Sequence, residues 1–264
     1  AGLREREGEW VRGKRETAMI IDTHAHIGLG ERLSDTYQVD QSVEVVLQQM
    51  AEAGVDKTCV MPVAYVDYAA AIEEVREAVA AHPDKLIGYA RVNLNHRERA
   101  SAQLQRCFEM YGFRGVKIHP GSGDGFPTRW FMEMMGEYGR PLLLHTTPDL
   151  AVIDAITHLA RSYPKVPVIC GHMGGFGVFN PGFVKLLATE AKQIENLYLD
   201  TAFVFLHQWI GMAVEICGPE KVLLGSDGPV LHPAIPLKQI ELCHFSDSER
   251  GLILGGNASK LLGL

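Results

Sequence analysis

The sequence predicts an α/β protein of the (β/α)8 TIM-barrel type, and three observations carry the expectation. From Met19 onward, apolar strand-like runs alternate with helical periodicities eight times. Several runs, such as Val166-Pro167-Val168-Ile169-Cys170 and Val222-Leu223-Leu224, are nearly continuously apolar, as in strands buried on both faces of a parallel sheet. The chain has 264 residues, close to the ~250 that such barrels occupy. An open doubly wound sheet would need fewer strands and a glycine-rich first turn. Here that turn reads His24-Ala25-His26-Ile27-Gly28-Leu29-Gly30.

The strands are expected at Met19–His24, Lys57–Met61, Leu86–Val92, Gly115–His119, Pro141–His145, Val166–Gly171, Leu197–Thr201 and Val222–Ser226. The first helix shows Val43, Val46, Leu47 and Met50 at i, i+3, i+4, i+7, capped at Asp40 and stopped by Gly54. Ile72, Val75 and Val79 mark the second, which ends near His82-Pro83 because the residue before proline avoids the helical region. Leu104, Phe108 and Tyr111 mark the third, with Gly112 beyond it. Trp130–Tyr138, Leu150–Tyr163, Gly182–Ile194 and Leu206–Cys217 continue the alternation. Ser246-Asp247-Ser248-Glu249 reads as a capping box before the apolar Leu252-Ile253-Leu254. Residues 1–18 alternate Arg, Glu and Lys, bury little and lack the apolar stretch of a signal peptide, so they read as a flexible extension before a single barrel domain over 19–264.

Composition narrows the function classes. Hydrophobic residues make up 47% and charged residues 22%, and the net charge is -7. There is no basic stripe for nucleic acid, no attraction to an anionic membrane and no apolar run of transmembrane length. Five scattered cysteines without a Cys-x-x-Cys argue for a reducing, cytoplasmic setting rather than a disulfide framework.

The chemistry lies at the strand ends. Side chains at i and i+2 of a strand share a face, so His24 and His26 project together. Neutral imidazole is the commonest protein metal ligand, and two on one strand make half a metal site. Other strand ends carry His119, His145, His172 and Asp227. Each alone has an ordinary reading: His145 as a buried core histidine, Asp227 before Gly228-Pro229 as a turn residue. Their common placement at the barrel face where active sites sit favours the metal reading. His82, His96, His158, His207 and His244 fall elsewhere and are assigned to structure or surface.

At these residues the chain resembles the amidohydrolase superfamily, in particular the branch of aminocarboxymuconate-semialdehyde decarboxylase, resorcylate-type decarboxylases and pyrone-dicarboxylate lactonase. The matching segments are Ile21-Asp22-Thr23-His24-Ala25-His26, Gly115-Val116-Lys117-Ile118-His119-Pro120, Leu144-His145, Gly171-His172-Met173-Gly174-Gly175, Gly225-Ser226-Asp227 and Gly255-Gly256-Asn257-Ala258. The resemblance implies that His24, His26, His145 and Asp227 hold one divalent ion, zinc in the first instance and manganese as the alternative. It implies that His172 contacts water or substrate; Asp227, at the edge of such an ion, is placed to take the proton of the water and pass it to a leaving group. A carboxylated Lys117 bridging a second ion is a further alternative, against Lys117 and His119 as neighbours of the site or substrate contacts.

The reaction expected is hydrolysis of a small organic acid, amide or lactone, with non-hydrolytic decarboxylation of an unsaturated or aromatic acid as the second reading. A metal-free lactonase and a non-catalytic metal-binding protein are the remaining alternatives. Arg91 and Arg129 are candidate carboxylate clamps, each with an ordinary reading as a surface or helix-start arginine. Tyr65, Asn93, Trp130, Phe176, Phe203 and His232 are further loop candidates. The expected partner is a small-molecule substrate, with no nucleic acid and no membrane; a second copy in a homodimer is what the resemblance adds.

Overall fold

The computed structural model describes residues 19–28, 38–64, 68–176 and 180–264; the extension expected at 1–18 and the candidate Tyr65 lie outside them. Eight strands are present: β1 (Ile21–Ile27), β2 (Lys57–Pro62), β3 (Leu86–Arg91), β4 (Gly115–Ile118), β5 (Leu142–Leu144), β6 (Val168–Cys170), β7 (Leu197–Asp200) and β8 (Val222–Leu223). They form one parallel sheet in sequence order. β8 returns to β1 through three backbone bonds, Thr23 N–H to Leu224 O (2.9 Å), Asp227 N–H to His24 O (2.8 Å) and His26 N–H to Gly228 O (2.6 Å). A bridge between Ala25 and Gly228 completes the seam, so the barrel is nearly closed.

The outer layer contains α1 (Val43–Ala53), α2 (Tyr68–Ala81), α3 (Arg97–Glu109), α4 (Arg129–Tyr138), α5 (Leu150–Ser162), α6 (Pro181–Gln193), α7 (His207–Cys217), α8 (Ala234–Leu242), α9 (Asp247–Gly251) and α10 (Asn257–Leu262). Gly54 ends α1 in the left-handed conformation (φ 71°), which glycine reaches without a Cβ penalty. The Ser246–Glu249 capping box is present at α9. Among the described residues no helix is long and apolar enough to cross a membrane.

Strand alternation sorts the side chains into two cores. Ile21, Cys59, Met61, Ile87, Tyr89, Leu143, Ile169 and Leu223 fill the barrel, with Ala258 and Leu262 packed against them. Their neighbours Val60, Ala90, Val116, Leu142, Leu144, Val168 and Cys170 pack outward against the helices. Arg91 lies two residues beyond Tyr89, and Lys117 lies between the outward-facing Val116 and Ile118. Both therefore fall on the inward side, and they are register partners across β3 and β4.

The N-cap of α1 is Ser42 rather than the expected Asp40, whose carboxylate instead accepts the Ser42 N–H, and three larger details also differ from the sequence expectation. β1 starts later and runs to Ile27, because its second half pairs with Val60, Met61 and Pro62; both histidines thus lie within the strand. β8 ends at Leu223, since the backbone beyond it bonds partly to Ile253 and partly across the seam to β1. Helix α8 was not expected, because Pro233 and Pro236 interrupt its periodicity. Pro233 sits at its N-cap and Pro236 in its first turn, where a missing N–H costs no helical bond.

Candidate metal centre

The barrel seam brings the first and last strands together around one group of donor atoms. His24 Nε2 and His26 Nε2 each lie 3.3 Å from Asp227 Oδ1. Asp227 reaches them because its N–H is anchored to His24 O and its backbone takes the left-handed conformation (φ 67°), which aspartate tolerates better than most residues. Beneath them the buried Asp22 carboxylate accepts from the His24 N–H, the Ser226 N–H and the Ser226 hydroxyl, tying β1 to the segment that carries Asp227. Burial pushes Asp22 up to about 7.

Hydrogen bonds fix the histidine tautomers. His24 Nδ1–H donates to Asp200 Oδ2 (2.8 Å), and His26 Nδ1–H donates to the Pro62 carbonyl (3.3 Å). His172 Nδ1–H donates to the Ala202 carbonyl (3.0 Å), so its Nε2 accepts from His145 Nδ1–H (3.0 Å). Burial, the largest cause in each case, holds these imidazoles below their ordinary range, His172 at about 4. They are therefore neutral at pH 7, and His24, His26 and His145 each keep a lone pair on Nε2. Two imidazole Nε2 atoms that carry no proton of their own and a carboxylate oxygen converge here, a donor set suited to a divalent cation.

Lys117 Nζ donates to His24 Nε2 at 2.8 Å. Burial lowers the lysine to about 8. The second grouping of metal-type residues, His24, His172 and Asp200, is already internally satisfied. Asp200 Oδ2 accepts from His24, and Oδ1 accepts the His172 N–H (2.7 Å) and the Ala202 N–H (3.2 Å). Asp200 therefore orients His24 rather than offering free lone pairs. Burial pushes it up to about 6, which leaves it ionised at pH 7.

Above these groups lies a cavity of about 170 Å³ lined by His26, Arg91, Lys117, His119, His145, His172, Phe176, Phe203 and Asp227. A space of about 150 Å³ is enough to bind benzene, so the cavity suits a ligand of single-ring size. Phe176 packs on His172 (4.7 Å), His145 (5.0 Å) and Phe203 (5.1 Å) as an aromatic wall. His172, Phe203 and Asp227 all have positive φ, and such strained non-glycine residues cluster at functional sites. A larger groove of about 640 Å³ between α2 and α3 is an open surface feature lined by Ile72, Glu73, Arg99, Gln103, Arg106 and three alanines, far in character from this chemistry.

The sequence-derived residues are not all brought together. His24, His26 and Asp227 converge, and His145 lines the same cavity. His172 also lines it, but both ring nitrogens are engaged, so its visible task is to orient His145 rather than to meet substrate or water. His119 stacks on His145 with ring centroids 3.7 Å apart, and its Nδ1 has no partner. Arg91 is buried and lines the cavity, whereas Arg129 is an exposed helix-start residue whose Nε pairs with Glu133 at 2.7 Å. Asn93 accepts the Asn95 N–H, Trp130 stacks with Arg97, and His232 pairs with Glu52; none of the three lines the cavity.

Two carboxylates were missed by sequence reasoning, Asp200 and Asp124. Asp124 sits in the loop after β4 and accepts from Arg91 Nε (2.8 Å), the His119 N–H (2.8 Å) and the Tyr68 hydroxyl. Asp200 ends an apolar run, a signal that could have flagged it. Asp124 lies in Gly123-Asp124-Gly125, which reads as an ordinary turn.

Known proteins share this arrangement of strands and helices. The amidohydrolase family model matches residues 21–264. A dihydroxybenzoic acid decarboxylase from Polaromonas sp. JS666, with bound manganese and the inhibitor 2-nitroresorcinol, superposes with a TM-score of 0.72 at 19% identity, covering 94% of this chain and 98% of that one. A 5-carboxyvanillate decarboxylase from Sphingomonas paucimobilis gives 0.70 at 15% identity, covering 94% and 100%. A 4-oxalomesaconate hydratase from Rhodopseudomonas palustris gives 0.70 at 20% identity, covering 93% and 96%. At these identities the three likenesses speak to the fold.

Proposed function

The chain belongs to the amidohydrolase family, and on that premise we propose that it is a metal-dependent enzyme using an activated water to hydrolyse a small organic acid, amide or lactone. The observation that carries the reading is the convergence of His24 Nε2 and His26 Nε2 on Asp227 Oδ1 at the floor of a ring-sized cavity. In this reading His24, His26, His145 and Asp227 hold one divalent ion, zinc or manganese. Such an ion supplies Lewis acidity, polarising a substrate carbonyl and lowering the pKa of a water beside it toward neutrality.

The protein groups divide the remaining work. Asp227, partly open to the cavity, accepts the proton of the attacking water and returns it to the leaving group. Asp200 holds His24 in the tautomer that bares Nε2, and His172 does the same for His145. Lys117 has to leave the His24 Nε2 lone pair for that nitrogen to serve as a ligand, and it then faces the cavity as a cation. Phe176 and Phe203 restrict water on the aromatic side.

A second reading, non-hydrolytic decarboxylation, draws on the names of the Polaromonas and Sphingomonas relatives. Turnover of candidate acids in ¹⁸O-labelled water separates the two. Label in the organic product supports hydrolysis; carbon dioxide release with an unlabelled organic product supports decarboxylation. Asp227→Asn is expected to keep much of the ion and to lose roughly 10²–10⁴-fold in turnover, the range of a missing proton-transfer group. Full activity in that variant would refute the assignment.

A further inference from the structure

Arg91 and Lys117 are register partners on β3 and β4, both directed inward, and both are almost wholly buried, at 2% and 1% exposure. Like charges directly opposite on neighbouring strands destabilise a sheet unless something compensates them. Compensation here is incomplete. Asp124 accepts from Arg91 Nε, and the Pro62 carbonyl accepts from Nη1 (3.4 Å), but Arg91 Nη2 is buried without a partner. Lys117 Nζ hydrogen-bonds to the neutral His24 ring; the Asp227 carboxylate across the same cavity favours its charge without an ion pair at contact distance. Asp124 has little left to offer, since its oxygens already serve Arg91, Tyr68 and the His119 backbone.

A guanidinium clamped on two sides and stacked over Tyr68, with one N–H pair left over and its side chain on the cavity wall, is a donor prepared in advance for an external acceptor. An unmet buried donor on a charged group is costly, so the acceptor that best offsets it is itself charged.

We propose that Arg91 Nη2, beside Lys117, anchors a substrate carboxylate distinct from the group that reacts, so that the enzyme takes small acids with an anionic end opposite the scissile or reacting end. The inference rests on reading the cavity as the active site. Arg91 sets specificity here: it binds the part of the substrate that does not react, while Asp124 and Tyr68 keep it in place.

Glutarate and its monoamide, glutaramate, test this directly. Both keep one carboxylate for the metal end and differ only in the charge of the other end. Their affinities are measured by calorimetry on zinc-loaded and chelator-treated protein. The wild type is expected to prefer glutarate by roughly 10–100-fold, the worth of a hydrogen bond to a charged partner. Arg91→Gln should bring the ratio to near one while zinc stoichiometry stays unchanged, and Arg91→Lys should retain part of the preference. Equal affinity in the wild type, no binding of either compound, or an undiminished ratio in folded Arg91→Gln overturns the proposal.

If neither Arg91 variant folds, the crystal structure of the wild type with glutarate decides. A carboxylate within about 3 Å of Arg91 Nη2 supports the anchor, and a carboxylate seated elsewhere overturns it. A charge preference that persists in a protein holding no zinc and turning over no substrate would instead sink the functional reading and leave the anion anchor standing.

Discussion

Replacing Asp200 by Asn tests whether the ligand nitrogen of His24 is set from behind. Asp200 Oδ2 accepts His24 Nδ1–H at 2.8 Å, while Oδ1 accepts the backbone N–H groups of His172 (2.7 Å) and Ala202 (3.2 Å). Asparagine can keep its oxygen on the two backbone donors, but it then turns an NH2 toward His24 Nδ1. Donor faces donor. The imidazole restores the bond by moving its proton to Nε2, the nitrogen that lies 3.3 Å from Asp227 Oδ1. Binding an ion then requires reversing that tautomer and losing a charge-assisted bond worth about 1.5–3 kcal/mol. This corresponds to roughly 10–100-fold weaker metal binding, in line with the usual effect of removing such a supporting carboxylate.

The assay is a zinc competition titration against a chromophoric chelator, run well below the thermal midpoint of each protein. Circular dichroism confirms the fold. Zinc affinity within about 3-fold of wild type in folded Asp200→Asn would refute the tautomer argument, whatever the change in stability.

Other outcomes follow from the same structure. Gly255→Ala places a Cβ onto the Met19 carbonyl at the entry to β1, and thermal unfolding should show a midpoint roughly 5–10 °C lower; an unchanged midpoint contradicts the close approach. Burial raises the Cys107 thiol from 9.0 to about 12 and pushes Cys59 and Cys170 up as well. Because these folded-state values lie above the unfolded ones, their stabilising contribution is complete below pH 9 and is lost as pH rises toward 12. Denaturant titrations should show stability falling across that window, and native-state alkylation at pH 8 should spare all three thiols. Arg129→Ala should leave turnover within about 2-fold of wild type, because the side chain is an exposed i,i+4 partner of Glu133; a large loss would place it in the site after all.

The barrel was legible because parallel strands covered on both faces must be apolar throughout, and Leu142-Leu143-Leu144 can be little else. Helix α8 was not, since Pro233 and Pro236 mask a periodicity that the first turn tolerates. In the site, the side-chain types that gather at strand ends were readable, as His24, His26 and Asp227 show. What they do with their second nitrogen was not, because it depends on partners far along the chain. Asp200 is 176 residues from His24, and the Pro62 carbonyl is 36 from His26.

The left-handed conformations of His172, Phe203 and Asp227 leave no trace in residue type either. Arg91 and Arg129 looked equivalent as sequence candidates. Register separates them, since one falls on the inward side of β3 beside Tyr89 and the other opens a surface helix.

Anomalous diffraction from crystals of the zinc-loaded protein tests the central claim most directly. A single peak should stand about 2.0–2.2 Å from His24 Nε2, His26 Nε2, His145 Nε2 and an Asp227 oxygen, with Lys117 Nζ withdrawn from His24. A fully loaded protein whose peak lies elsewhere, with His24 still bonded to Lys117, would contradict it.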